Sequence, residues 1–233
     1  MSGSETTAGD AVTEHAREFS VAGERVPGLV WTPARCETPL PAVLIGHGRG
    51  MDKRLGYVEA VARQLVREYG WVAVALDAPG HGERRDPGTG PGEIPPKPDP
   101  DQVRREWQAC VDVLVGERVI DPGALGYWGI SMGTGMGIAL LADEPRIRCA
   151  ALGLMHTRYY ERILADAARV SCPLLFSLHW DDSRVPRNEA FDLFDAFGSA
   201  DKRLHAYPGD HADFTDEEMT AYERFLAAHL TAD

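Results

Sequence analysis

Ala124-Leu125-Gly126-Tyr127-Trp128-Gly129-Ile130-Ser131-Met132-Gly133-Thr134-Gly135 is the stretch on which the fold turns. Residues 124–128 are mostly apolar and aromatic and read as a buried strand, whereas Met132 to Leu141 read as a helix. Between the two stands G-x-S-x-G, from Gly129 to Gly133. A serine at the tip of a tight strand-to-helix turn takes strained backbone angles, and side chains on its flanks would clash, so glycine is needed there. The same turn puts Ser131 at a helix N-terminus, where free N–H groups favour developing negative charge. Glycine and serine are common, so the pentapeptide alone is a weak signal. Its strand–turn–helix setting makes it specific, and Ser131 is predicted as a nucleophile.

The flanking sequence repeats this alternation. Before the elbow, residues 18–31 predict an antiparallel hairpin turning at Ala22-Gly23, and residues 41–45 a buried strand ending in Gly46-His47-Gly48-Arg49-Gly50. Apolar positions at helical spacing (Val58, Val61, Ala62, Leu65, Val66) predict a helix over 56–69, closed by Gly70. Residues 71–76 form the next strand, followed by Asp77-Ala78-Pro79-Gly80-His81-Gly82. The proline- and glycine-rich stretch 83–100 reads as a long loop, proposed as a flexible flap, and a helix follows over 101–117. After the elbow come a strand at 149–154, helical residues to Arg169, a strand at 173–178, a helix at 187–197, a strand at 202–207 and a closing helix at 215–230. Strands and helices in strict succession specify a doubly wound, mostly parallel sheet flanked by helices. The segment between residues 154 and 173 is too short for a large cap domain. Residues 1–14 are expected to be a disordered leader and 15–233 a single α/β domain.

Bulk properties narrow the function. The 233 residues carry a net charge of -12 with eight histidines counted as neutral, which disfavours nucleic acid as a partner. No run approaches the roughly 18 apolar residues of a membrane span, and residues 1–10 lack a secretion signal, so a cytoplasmic location without membrane partners is expected. Cys36, Cys110, Cys149 and Cys172 have neither CxxC pairing nor zinc-like spacing to histidine. They are expected to be buried thiols, with no metal site and no disulfides. Gly46-x-Gly48-x-Gly50 lacks the Lys-Ser/Thr of a phosphate loop, so no cofactor is expected.

Five motifs stand in a fixed order: His47-Gly48, Asp77-x-Pro79-Gly80-His81-Gly82, the serine elbow, Asp182-x-x-Val185-Pro186, and Pro208-Gly209-Asp210-His211. On these the chain, from about residue 18 to residue 230, resembles the α/β hydrolases, and within them the dienelactone hydrolase-like and small carboxylesterase group. A serine hydroxyl needs a general base within hydrogen-bond reach, and in this fold the order is Ser, then Asp or Glu, then His. His211, in the Pro-Gly loop after the last strand, is where the resemblance puts the base. Asp181 and Asp182 are both open as the acid from position alone. The resemblance places the acid three residues before the valine of Val-Pro, which selects Asp182. For the oxyanion, the backbone N–H of Met132 follows the nucleophile. The resemblance supplies a second N–H from Arg49, with Gly48 and Gly50 as near alternatives.

Other residues invite weaker readings. Asp77 and His81 are expected to be a structural turn, and Asp210 a solvated loop residue. Arg49, Arg84, Arg85, Arg158 and Arg162 lie where one could anchor a substrate carboxylate. Trp180, beside the acid, is placed to line the site. The resemblance implies a serine hydrolase cleaving small-molecule carboxylic esters of small or medium acyl groups through an acyl-serine. A lactonase, an acyl thioesterase and a catalytically inactive binding protein are the competing readings. Strict dienelactone hydrolases use cysteine as nucleophile, and Ser131 departs from them.

Overall fold

Ten-residue strands β1 (Val12–Val21) and β2 (Glu24–Pro33) pair antiparallel at one edge of an eight-stranded sheet. They are joined by Ala22-Gly23, both at positive φ (51° and 85°), the geometry of a two-residue hairpin turn. This computed structural model describes residues 11–35, 37, 39–90 and 92–230. Cys36 and residues 1–10 of the expected leader lie outside the described residues. Residues 12–14 correct that expectation: they are part of β1, opposite Pro33, Thr32 and Trp31. Their hold is chemical, because the Glu14 carboxylate accepts from the Trp31 indole N–H (3.0 Å), Arg54 (2.8 Å) and Arg63 (2.9 Å).

The remaining elements are β3 (Leu40–Gly46), α1 (Gly56–Tyr69), β4 (Val72–Leu76), α2 (Pro100–Gly116), β5 (Ile120–Ile130), α3 (Met132–Leu141), β6 (Ile147–Gly153), α4 (Ile163–Ala167), β7 (Leu174–His179), α5 (Arg187–Ala196), β8 (Lys202–Tyr207) and α6 (Asp216–Leu230). Sheet order is β1-β2-β4-β3-β5-β6-β7-β8, and every pair from β4 onward is parallel. This is the doubly wound α/β-hydrolase architecture without a large cap domain.

Strand alternation divides the core into two layers. Val43 and Ile45 of β3 face α1 and α6, with Val58, Leu65 and Phe225. Ala42 and Leu44 face the other way, in the cluster holding Trp107 of α2, Met136 of α3 and Ile163 of α4. From β3 the chain winds outward to β4, then returns across β3 to β5. The switch point between β3 and β5 is where the crevice of an open parallel sheet lies. The C-terminal ends of those two strands carry the 46–50 loop and Ser131.

The expected helix up to Arg169 shrinks to five residues. Residues 155–162 form a loop instead, because Tyr159 turns into the core and the Tyr160 hydroxyl donates to Asp166 (2.9 Å), contacts a continuous helix would not make.

Candidate active site

Ser131 has φ 56° and ψ -118°, a conformation sparsely populated by any residue with a Cβ. Its surroundings hold it there. The Ser131 N–H donates to the Gly153 carbonyl (3.0 Å), and the Tyr127 hydroxyl donates to the Gly133 carbonyl (2.6 Å). The buried Thr134 hydroxyl lies 2.7 Å from the carbonyls of both Gly129 and Gly153. The flanking glycines answer to close approach: a Cβ on Gly133 would sit 2.2 Å from the Gly46 oxygen, and one on Gly129 2.7 Å from the Gly133 carbonyl carbon. Both contacts are with backbone, which cannot swing away.

His211 Nε2 lies 3.0 Å from Ser131 Oγ, and its Nδ1 lies 2.7 Å from Asp182 Oδ2. A carboxylate only accepts, so Nδ1 carries the proton and Nε2 is free to accept from the serine hydroxyl. The Asp182 carboxyl is 1 % exposed, and its Oδ1 accepts from the N–H groups of Arg184 (2.8 Å) and Val185 (2.9 Å). Burial pushes this carboxyl up, but the bond to His211 and the two backbone donors outweigh it and hold it below the usual carboxylate range. The adjacent Asp181 faces the outer surface beside Trp180 and Phe191.

Asp210 is an exposed loop residue, as expected, and it is also bonded to both catalytic loops. Its carboxylate accepts from the Ser183 N–H (2.7 Å), the Ser183 hydroxyl (3.1 Å) and the His211 N–H (2.7 Å), which pull its pKa down to about 2. It therefore ties the loop bearing Asp182 to the loop bearing His211.

Met132 opens α3, so helix geometry leaves its N–H without an intrahelical partner. In the facing 46–50 loop, the Gly48 N–H donates to the Tyr57 hydroxyl (2.7 Å) and is not free for an oxyanion. Arg49 lines the same pocket as Ser131, Met132 and His211. The loop is fixed by His47, whose Nδ1 donates to the Gly48 carbonyl (2.9 Å) while Nε2 accepts the Ala78 N–H (3.1 Å). Burial pushes the His47 pKa down to about 4, so it stays neutral. Asp77 is a brace: it binds Lys53 Nζ (2.6 Å) and the N–H groups of Lys53 (3.0 Å) and Glu83 (2.9 Å), joining two loops.

The pocket beside Ser131 has a volume of about 410 Å³. Its apolar wall is Leu154, Met155, Tyr159 and Val185, with Ile94 contributed by the 83–100 segment. Three cations, Arg49, Lys97 and Arg184, border it; sequence reasoning had singled out only the first. The other arginines are engaged elsewhere: Arg84 with Glu106 (2.7 and 2.8 Å), Arg162 with Asp101, Arg158 with Glu189, and Arg85 with the carbonyls of Gly90 and Glu93. Trp180 is half exposed and stacks under Arg187 in a neighbouring surface depression, not in this pocket.

The segment expected to be a flexible flap borders the pocket and is hydrogen-bonded at several points. Arg49 Nε donates to the Pro95 carbonyl (2.9 Å), Lys97 Nζ to the Tyr159 carbonyl (2.9 Å), and Arg85 spans the loop from within. Cys110, Cys149 and Cys172 are free thiols, the first two buried. Among the described residues no group of three or more His, Cys, Asp or Glu side chains is placed to hold a metal ion, and no helix is long and apolar enough to cross a membrane.

A serine at the switch point of this sheet, with a buried aspartate from the loop after β7 and a histidine from the loop after β8, defines an α/β hydrolase. The comparisons narrow the class. The model of the dienelactone hydrolase family matches residues 26–230, and the chain belongs to that family. Among solved structures it is similar to a cold-adapted esterase from an Arctic intertidal metagenomic library, at 33% identity over 98% of this chain and 97% of that one, TM-score 0.82. An acetyl xylan esterase from Paenibacillus sp. R4 shares the fold at 18% identity, covering 99% of this chain and 87% of that one, TM-score 0.77. So does an esterase of Pyrococcus furiosus, at 17% identity over 99% and 98% of the two chains, TM-score 0.73. No curated protein matches. The chain is a hydrolytic enzyme.

Proposed function

We propose that the chain is a serine esterase that cleaves small-molecule carboxylic esters of small or medium acyl groups through an acyl-serine intermediate. The observation that carries this reading is His211 standing between Ser131 Oγ at 3.0 Å and Asp182 at 2.7 Å. In the first step Ser131 Oγ attacks the ester carbonyl and its proton passes to His211 Nε2, while Asp182 steadies the resulting imidazolium. The oxyanion is held by the N–H groups of Met132 and Arg49, each donor supplying roughly 3–4 kcal/mol. His211 then returns the proton to the departing alcohol. Water attacks the acyl-serine with His211 again as base, which frees the acid and restores the Ser131 hydroxyl.

The walls of the pocket support the compact acyl group of this reading. A pocket of about 410 Å³ takes a compact acyl group. Only the five-residue α4 stands between β6 and β7, where a large cap would have to be inserted to enclose a long chain.

Ser131→Ala is the direct test, on a panel of p-nitrophenyl esters, lactones and acyl thioesters. We expect kcat on p-nitrophenyl acetate to fall by about 10⁴-fold or more, with Tm near wild type. Near-normal turnover by a well-folded variant would remove the reading, and a wild-type preference for lactones or thioesters would reassign the substrate.

A further inference from the structure

Behind the loop that carries His211 lies a buried charged pair that takes no part in the steps above. His179, the last residue of β7, and Glu218, in the first turn of α6, both have 0% side-chain exposure. His179 Nε2 lies 2.8 Å from Glu218 Oε2, and His179 Nδ1 lies 2.6 Å from the Asp210 carbonyl oxygen. Glu218 Oε1 meanwhile accepts from the hydroxyls of Ser177 (2.8 Å) and Tyr222 (3.0 Å). The Ser177 and Tyr222 hydroxyls also touch each other, so these three oxygens form one buried hydrogen-bonded cluster around the carboxylate. A carboxylate and a carbonyl both only accept, so the imidazole between them carries both its protons. The Phe214 ring packs against the imidazole, centroids 5.3 Å apart.

A buried ion pair is poor value as a stabilising device, because desolvation cancels most of the attraction and an apolar pair of similar volume serves as well. Its geometry offers another reason for its presence. The carbonyl it grips belongs to the residue whose carboxylate bridges the acid loop and the base loop, through Ser183 and the His211 N–H. Asp210 is exposed, where water competes for its bonds, whereas the grip on its carbonyl comes from the interior. We propose that His179, held by Glu218, is a positioning residue for the esterase reaction: by fixing the Asp210 carbonyl it sets the seat of His211 between Asp182 and Ser131. This rests on the reading of His211 as the base.

The two ring nitrogens can be tested apart. In His179→Asn the amide nitrogen takes the place of Nδ1, keeping the donor to Asp210 and leaving Glu218 Oε2 unpaired. In His179→Gln it takes the place of Nε2, keeping Glu218 paired and releasing Asp210. With p-nitrophenyl acetate as probe, we expect His179→Gln to lose kcat roughly ten- to a hundredfold, with KM within about twofold of wild type and only a small fall in Tm. His179→Asn should retain kcat within about threefold while its Tm falls by roughly 6–12 °C. A merely structural pair predicts the opposite coupling, with the less stable variant also the less active. Activities that rank with Tm, or wild-type kcat in His179→Gln, overturn the proposal. Where His179→Asn does not fold, His179→Gln decides alone. The two readings fail separately: an active Ser131→Ala removes the esterase mechanism, whereas an inactive one beside a fully active His179→Gln removes only the positioning role.

Discussion

Asp181 and Asp182 are chemically identical neighbours, and one residue of register separates a carboxylate bonded to His211 from one facing the outer surface. Asp182 is buried with three donors on its two oxygens, and Asp181 borders the depression beside Trp180. We expect Asp182→Asn to lower kcat about 10⁴-fold, because an amide can present its N–H to Nδ1 and hold the imidazole in the wrong tautomer. Asp181→Asn should stay within about threefold of wild type. Steady-state kinetics on one activated ester separate them, and the reverse ranking would move the acid to Asp181. The spacing to Val185-Pro186 was enough to single out Asp182 in the sequence, because the loop's own N–H groups, at Arg184 and Val185, fix the carboxylate locally. Asp210 was illegible for the complementary reason. Its partner Ser183 lies 27 positions away, and only the side-by-side pairing of β7 and β8 brings the two loops together.

Segment 83–100 shows how composition can identify a loop without revealing what anchors it. Proline and glycine disfavour regular structure, and among the described residues a 3-10 turn at Gly82–Arg84 is the only such element before α2. What composition does not carry is the anchoring, which uses side-chain donors on main-chain carbonyls: Arg49 to Pro95, Lys97 to Tyr159 and Arg85 to Gly90 and Glu93. These bonds hold Ile94 and Lys97 at the rim of the Ser131 pocket. Replacing residues 86–97 by a short Gly-Ser linker removes that wall and leaves the sheet intact. We expect KM for p-nitrophenyl butyrate to rise about threefold or more, preference among acyl lengths to flatten, and Tm to shift by only a few degrees. Unchanged kinetics across acetate, butyrate and octanoate esters would reduce the segment to a surface excursion. Collapse of the fold would instead make it a structural brace. The helix expected up to Arg169 failed for a related reason, since helical periodicity cannot register that Tyr159 is needed in the pocket wall.

At the scale of the whole molecule, the strict succession of strand and helix specified the doubly wound sheet, which is why that architecture was legible without side-chain detail. The strand order, and with it the switch point between β3 and β5 that locates the crevice, came only with the structure. The charges buried around the crevice are a different matter, and they set how stability responds to pH. The Asp182 carboxyl is lowered in the fold: burial raises it, but His211 and two N–H donors outweigh that. Its contribution is therefore present above the ordinary carboxylate range, near pH 4, and is lost as pH falls through the lowered value. His179 has the opposite sign. Burial alone would lower it, yet the Glu218 carboxylate, the Asp210 carbonyl and the more distant charge of Asp182 raise it, in surroundings that also hold the hydroxyls of Tyr207 and Tyr222. Its contribution is complete below the ordinary imidazole value of about 6.5 and disappears as pH climbs through the raised one. Urea midpoints measured from pH 3 to pH 10 should then diverge in a defined way. The gap between wild type and Asp182→Asn should narrow on the acid side, below about pH 4, and the gap between wild type and His179→Gln should narrow on the alkaline side, above about pH 6.5. An alkaline gap that stays constant would mean that His179 is neutral in the fold and that the pair with Glu218 is an ordinary hydrogen bond. An acid gap that stays constant would mean that Asp182 gains nothing from its donors beyond what water gives it in the unfolded chain.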